Sequence, residues 1–367
     1  LKIAFIAVKG IPMSGGIESY TLMLASKLAE FGNDVIVYTT RHHGNTDGFY
    51  QGFMIKTIPS SRIKNLEKMT LVFNASCHMM FQNYDIVHYH ALGPSIFAFM
   101  AKITHKKVII QSHGIEYRRS KWGFLGSYIL KTTERLSVNM GDCLTVVSKT
   151  LKKYFWDTYQ KRTIYIPTAV ELPDEQTADE DILKKLGLVR GNYYLFLARI
   201  VKEKGAQYLI PAYKSISSDK KLVIAGKIEL SDPFHSLLIK MAQNDKRIIF
   251  IGDVSGKVKD NIFKGAYAFC QPSELEGLSV SLLEAMSYKK CCIVSDISEN
   301  MEVAGGHSIS FKNKNIVDCA RALSYAENNP DKVISYGEAA FSYIVENHQI
   351  DKIARQIENM YKTVINQ

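Results

Sequence analysis

The sequence predicts an α/β protein built from two doubly wound parallel sheets, and three observations point there. Its 367 residues exceed one ordinary core and suit two domains of roughly 150–200 residues each. Short apolar runs alternate with stretches of helical period, the arrangement that yields parallel strands joined by crossover helices. Several of those runs are apolar at every position, as strands covered on both faces must be.

Taken in order, residues 2–8 read as a strand, 16–31 as a helix turning Leu22, Leu24, Ala25 and Leu28 inward, and 34–40 as the next strand. A strand at 53–58, a helix at 66–81, a strand at 85–90 and a helix at 94–102 follow. Strands at 107–111 and 143–147 are separated by a helix within 126–140, and a helix from Ser148 and a strand at 163–166 complete the half. The second half repeats the alternation with strands at 193–198, 222–225 and 247–251 and helices at 205–215, 234–242 and 257–263. Next comes a strand–loop–helix–strand unit: an apolar run at 266–270, the loop from Pro272, a helix carrying Leu282, Leu283 and Met286, and a run at 291–295. Helices at 316–326, 332–346 and 350–365 close the chain. Both periodicities break within 167–191, at Pro173-Asp174-Glu175-Gln176. The expected domains are therefore 1–170 and 171–345, with a terminal helical segment, 346–367, packing back on the first.

Charge is unevenly spread. Residues 1–170 hold 21 Lys+Arg against 10 Asp+Glu, a net of +11, while the remainder holds 25 against 26, a net of −1. A solvated face, a nucleic-acid surface and an anionic membrane surface all fit such an excess. The six cysteines, Cys77, Cys143, Cys270, Cys291, Cys292 and Cys319, lack Cys-x-x-Cys spacing, and four lie in apolar runs. Reduced core thiols in a cytoplasmic protein are expected. Residues 2–8 are too short for a secretory leader, and the apolar stretch near 95–103 falls far below the roughly 20 residues of a membrane span.

The candidate chemistry lies at predicted strand ends. Gly15 and Gly16 immediately precede the first helix, so free amides and about half a positive charge would face a ligand such as phosphate. The plainer reading is a tight turn with Glu18 placed to soothe the helix dipole. Arg199 and Lys204 flank the loop after residues 193–198, offering a guanidinium fork and a point charge to a diphosphate. Glu276 and Glu284 straddle the junction of loop and helix, where Gly277 permits close backbone approach. Ser281-x-x-Glu284 also has capping-box spacing, and Glu276 also reads as a solvated loop carboxylate. A glycoside hydrolase needs its carboxyl groups about 5–9.5 Å apart, whereas eight helical positions span about 12 Å. His113 ends a strand of the basic half, where a catalytic group would stand. His88 and His90 share a strand face, but no acidic or cysteine partner is spaced to complete a metal site. His42 and His43 follow a strand end and are candidates to line the same ligand site.

These motifs, in this order, resemble the retaining glycosyltransferases of the GT-B fold in family 4. The resemblance spans essentially the whole chain. Its most specific part is Glu276-x7-Glu284 within Pro272-Ser273-x-x-Glu276-Gly277 and Leu283-Glu284-Ala285-Met286. Gly15-Gly16-Ile17-Glu18, Ser112-His113-Gly114, Val147-Ser148, Arg199-x4-Lys204-Gly205 and Gly252-Asp253-Val254 stand in the family's order. Ile166-Pro167-Thr168-Ala169-Val170 and Glu276-Gly277-Leu278-Ser279 depart mildly from its usual Ile-Pro-Asn-Gly-Val and Glu-Gly-Phe-Gly.

The resemblance implies two facing Rossmann-like domains with a cleft between them, and a sugar moved from a nucleoside-diphosphate donor, UDP expected. It implies no cofactor and no metal. Residues matching Arg199 and Lys204 hold the diphosphate, Glu284 binds the ribose and Glu276 reaches the sugar hydroxyls. Amides at Gly15 and Gly16 and, after Gly277, at Leu278 and Ser279 approach the phosphates, Val254 lies beside the base and His113 stands near the reacting carbon. The family's mechanism is front-face attack with retention, the leaving phosphate taking the acceptor's proton.

Lys9-Gly10-Ile11-Pro12 and His88-Tyr89-His90-Ala91-Leu92-Gly93-Pro94 look like those of bacterial surface-polysaccharide enzymes, whose acceptor is a glycan or lipid-linked sugar. Arg118, Arg119, Lys121 and Trp122 would then meet anionic headgroups or the acceptor's diphosphate. Nucleic acid is not an expected partner. The expected location is the cytoplasm, with peripheral attachment to the inner face of the plasma membrane left open. The alternatives are a sugar-nucleotide epimerase of the same fold and a non-enzymatic, basic nucleic-acid-binding protein.

Overall fold

The computed structural model describes residues 1–367 apart from 12–14, 64–65, 119–122, 175–176 and 228–232. Pro12, Arg119, Lys121, Trp122, Glu175 and Gln176 thus lie outside the described residues. The chain forms two compact units, Leu1–Ala169 with Ile350–Gln367, and Val170–Gln349.

In the first unit the strands are β1 (Lys2–Ile6), β2 (Asp34–Thr40), β3 (Gly48–Tyr50), β4 (Phe53–Ile58), β5 (Ile86–Tyr89), β6 (Lys107–Ser112), β7 (Cys143–Val146) and β8 (Ile164–Tyr165). They line up as β3-β4-β2-β1-β5-β6-β7-β8, parallel except for β3. Helices α1 (Gly16–Glu30), α2 (Glu67–Met80), α3 (Phe99–Ile103), α4 (Phe124–Ser137) and α5 (Lys149–Tyr159) join them. α1 buries Tyr20, Thr21, Leu24, Ala25 and Leu28, a stripe repeating every three or four residues. α5 starts where the Ser148 hydroxyl accepts the Leu151 amide, a cap that satisfies one orphan N–H.

The second unit holds α6 (Glu180–Lys185), β9 (Tyr193–Leu197), α7 (Ala206–Lys214), β10 (Lys221–Ala225), α8 (Pro233–Ala242), β11 (Ile248–Gly252) and α9 (Gly256–Gly265). After these come β12 (Ala268–Gln271), α10 (Val280–Ser287), β13 (Cys291–Ser295), α11 (Ser298–Ala304), β14 (Ser308–Phe311), α12 (Ile316–Asn328) and α13 (Pro330–Asn347). Its strands run β11-β10-β9-β12-β13-β14 in one parallel sheet. β9, β10, β12 and β13 are buried almost throughout, so each large apolar side chain contributes about 1.5–3 kcal/mol of burial.

The last helix, α14 (Ile350–Ile365), belongs to the first unit. It buries Ile350, Ile353, Ala354, Ile357, Met360, Tyr361 and Val364 against the core of α1, β1 and β2. That three-and-four spacing gives a single apolar face.

The structure departs from the sequence reading in four places. β3 is an antiparallel edge strand of three residues, too short to show a period. α6 lies within 167–191, where Asp179 caps it by accepting the amides of Asp181 and Ile182. Residues 94–102 are not one helix: a 3-10 turn, Gly93–Ala98, with Pro94 in its first turn and unable to donate, precedes α3. α11 and β14 fill a stretch in which no element was expected.

Candidate functional site

β9 and β12 are neighbours, so the loops leaving their carboxyl ends meet. Ligands of doubly wound sheets bind at such strand ends. Gly205 takes φ of +80° before α7, and a Cβ there would fall 1.8 Å from the Pro272 carbonyl oxygen. Only glycine lets the two backbones come this close. The contact is sealed by the Glu274 amide donating to the Glu203 carbonyl at 2.8 Å.

That apposition sets Lys204 on Glu276. The ammonium lies 2.5 and 2.7 Å from the two carboxylate oxygens. Their side chains are only 16% and 7% exposed. Gln271 and Ser273 each donate to the same Glu276 oxygen, Oε1, at 2.7 Å. An ammonium has three N–H groups and a carboxylate about four acceptor positions. The Glu276 bonds account for two of the three Lys204 N–H groups and for one position on Oε2. Arg199 stands exposed just past β9. Glu274, which the sequence reading passed over, fastens the loop by accepting from Tyr208, Gln207 and Lys314 at 2.7, 2.9 and 2.9 Å. Burial alone would raise its pKa, but the Lys314 and Tyr208 hydrogen bonds outweigh that and lower it.

The start of α10 corrects one expectation. Ser279, not Ser281, is the N-cap, its hydroxyl accepting the Leu282 amide. Glu284 is therefore not the far half of a capping box. It lies within α10, and its carboxylate takes the ammonium of Lys259, on α9, at 2.7 Å. Burial pushes the Lys259 pKa down, yet the charge and hydrogen bond of Glu284, with Asp260 and Glu171, leave it raised. Gly277 and Leu278 are half-buried in the loop before the cap. Val254 follows β11 and packs against the core that includes Leu282 and Leu283.

In the first unit, β1, β5 and β6 are adjacent, so the segments after them share one carboxyl edge. Gly15 precedes α1 in extended backbone, φ 169°, which any residue adopts. Glu18 folds back over it: its carboxylate would lie 2.4 Å from a Cβ added to Gly15. This is the dipole-compensating arrangement of the plainer reading, and it leaves the amides of the first turn in place. His113 follows β6, with the Tyr20 ring edge-on at 5.6 Å and His90 Nδ1 3.1 Å from its Nε2. His88 and His90 stack on one another at 4.6 Å, as their shared strand face required. His43 shares the Glu67 carboxylate with Lys9, at 2.7 and 2.5 Å, and His42 meets the Ser60 carbonyl oxygen at 2.6 Å.

Within the second unit the structure therefore joins Lys204 to Glu276, and Glu284 to the unforeseen Lys259. Ser273 and Gln271 were also missed. Ser273, three residues before Glu276 in the same short loop, was legible there; Lys259, 25 positions from Glu284 on another helix, was not.

Two doubly wound units with cation–carboxylate chemistry at adjoining strand ends are the architecture of a GT-B glycosyltransferase. The family model described as Glycosyltransferase Family 4 matches residues 14–173, and that described as Glycosyl transferases group 1 matches residues 178–343. The chain belongs to this glycosyltransferase family. It is similar over 100% of both chains to an uncharacterized glycosyltransferase of Methanocaldococcus jannaschii, with 25% identity over 402 residues. The UDP-Gal:alpha-D-GlcNAc-diphosphoundecaprenol alpha-1,3-galactosyltransferase of Escherichia coli is 25% identical over 327 residues, covering 82% of this chain and 81% of its own. Among solved structures, Anabaena HepE in complex with UDP and glucose shares the fold with a TM-score of 0.81 at 16% identity, covering 99% of each chain.

Proposed function

We propose that this glycosyltransferase moves a sugar from a UDP-sugar to a glycan or lipid-linked acceptor, with retention and without a metal. The observation that carries the reading is the Lys204 ammonium held on Glu276 where the β9 and β12 loops meet. Lys204 and Arg199 neutralise the departing diphosphate, and first-turn amides of α10 add their dipoles. Glu276 accepts from sugar hydroxyls and Glu284, steadied by Lys259, from the ribose. Val254 lies beside the base. The first unit presents the acceptor, with His113 beside the reacting sugar and Gly15 and Gly16 at phosphate. The UDP bound by HepE and the diphosphoundecaprenol-linked acceptor in the name of the Escherichia coli relative support the choice of substrates.

A panel of nucleotide sugars read by thermal shift tests the donor. A true donor at a hundredfold its dissociation constant should add about 2.7 kcal/mol of stability. Transfer should survive EDTA, and NMR of the product should show the donor's anomeric configuration. An inverted anomer removes retention, and donor conversion without any acceptor favours the epimerase.

For the membrane, a specific surface favours contact. α4 exposes Phe124, Leu125, Tyr128 and Ile129, by 92, 69, 65 and 52%, with Lys131 one turn and Arg135 two turns past Tyr128. An apolar stripe flanked by cations suits an anionic interface. Among the described residues no helix is long and apolar enough to cross a membrane. Binding to anionic vesicles should weaken with salt and disappear in a Phe124→Ser/Leu125→Ser/Tyr128→Ser variant. Equal binding to zwitterionic vesicles would remove the idea.

A further inference from the structure

The segment that carries Glu276 is clamped on both sides. β12 lies between β9 and β13 in the sheet. On the β9 side the Glu274 amide donates to the Glu203 carbonyl at 2.8 Å. On the β13 side the last paired residues are Gln271 and Val294, and Pro272, next in the chain, has no N–H with which to extend the ladder. There a side chain takes over. The hydroxyl of Ser295, the final residue of β13, lies 2.6 Å from the Ser273 carbonyl oxygen. Ser295, Ser273 and Gln271 are all buried, as is Asn300 on α11.

Every direction in this network follows from which atoms are able to donate. One atom of the Asn300 amide meets both the Ser295 carbonyl oxygen, at 3.1 Å, and the Ser295 hydroxyl, at 3.0 Å. A backbone carbonyl only accepts, so that atom is the nitrogen, and its two N–H groups serve the two contacts. The Ser295 hydroxyl receives from Asn300 and has one hydrogen of its own to give. The Ser273 carbonyl takes it, because the Gln271 carbonyl, at 3.5 Å, is beyond the usual reach of an O–H donor. The Ser273 hydroxyl in turn donates to Glu276 Oε1 and accepts from the Gln271 amide nitrogen at 2.8 Å. Lys204, Gln271 and Ser273 thus converge on Oε1. The direction of the carboxylate is tied to where the Ser273 main chain sits.

We propose that Ser295 and Asn300 are positioning residues for the donor sugar: by holding the Ser273 carbonyl they aim Glu276 at the sugar hydroxyls. This rests on the reading that Glu276 accepts from those hydroxyls. Asn300 sets the Ser295 hydroxyl, Ser295 sets the Ser273 main chain, and Ser273 sets the carboxylate. The nucleotide contacts assigned to Glu284 and Val254 lie outside this network, so its effect falls on the sugar rather than on the UDP. A small displacement of a group that grips a substrate is enough to cost affinity and rate.

Calorimetric titration of the full chain, without acceptor, tests this with two probes. One is UDP; the other is whichever of UDP-glucose, UDP-galactose and UDP-N-acetylglucosamine gives the largest thermal shift. Glu276→Gln is the reference for loss of the sugar contact and should weaken the UDP-sugar well beyond UDP. Ser295→Ala removes the hydroxyl and should weaken the UDP-sugar about tenfold, with UDP changed less than about threefold. Asn300→Leu keeps the size of the side chain but frees the Ser295 hydroxyl to turn, and should act in the same direction. If Ser295→Ala does not fold, Ser295→Cys, whose thiol is a weak donor of similar shape, should show the same selective loss. A purely structural role would lower the unfolding temperature and weaken both ligands alike, and that result overturns the proposal. So does a folded Ser295 variant that binds both ligands as the wild type does. Equal losses of UDP and UDP-sugar in Glu276→Gln overturn instead the reading beneath it, so the two failures are distinct.

Discussion

Lys204→Met is expected to slow sugar transfer about 100- to 1,000-fold, the usual loss when one donor to a developing negative charge is removed. The same change destabilises the fold. Glu276 is 7% exposed, and losing its counter-ion strands a carboxylate that Gln271 and Ser273 alone must satisfy. Breaking a buried pair from one side costs about 3–5 kcal/mol, and the 16% exposure of Lys204 argues for the lower end. A second variant separates the two effects. In Lys204→Met/Glu276→Gln the stranded charge is gone, so chemical denaturation should show stability largely recovered. Transfer should stay slow, since neither methionine nor glutamine neutralises a leaving diphosphate. If activity returned together with stability, Lys204 would only be balancing Glu276, and its place at the donor phosphates would be lost.

The contrast between Lys204 and Lys259 shows what a sequence can disclose. Lys204 lies seven residues past β9, next to a glycine and at the mouth of a helix, so its candidacy is written in local spacing. Lys259 meets Glu284 through the packing of α9 beside α10, and no pattern along the chain encodes which faces of two successive helices touch. The cap of α10 is the same lesson in reverse. Ser281-x-x-Glu284 has the right letters, but the helix starts two residues earlier, and Ser279 is where the backbone is still extended. Spacing identifies candidates; the point at which the backbone turns helical selects among them.

The sheets were legible for a plainer reason. Strands such as β5, β7 and β13 are buried at every position, and that demands continuous apolar runs. β3 and α6, three and six residues long, hold too little pattern to be read. The histidine stack was half legible. Alternation put His88 and His90 on one face, but the engagement of His88 with Tyr361, 273 positions away, is a product of how α14 packs.

Gly205→Ala is expected to cost more than about 3 kcal/mol and to abolish donor-induced stabilisation. Two separate penalties act there. With φ at +80° an alanine pays the left-handed strain of about 1–2 kcal/mol that glycine escapes. Its Cβ would also lie 1.8 Å from the Pro272 carbonyl oxygen, a collision with backbone that no rotamer relieves. One of the two loops must retreat. Retreat breaks the Glu274–Glu203 backbone bond at 2.8 Å and pulls Lys204 off Glu276, so the donor site opens along with the fold. Gly187→Ala is the control: φ there is +68°, but nothing lies within 4 Å of the added carbon, so only the strain remains. The two variants should therefore differ by at least about 2 kcal/mol in urea denaturation, within the range of strained or overpacked sites. Agreement between them to within 1 kcal/mol, at undiminished donor binding, would mean that the close approach of the β9 and β12 loops does not set the geometry of Lys204 and Glu276.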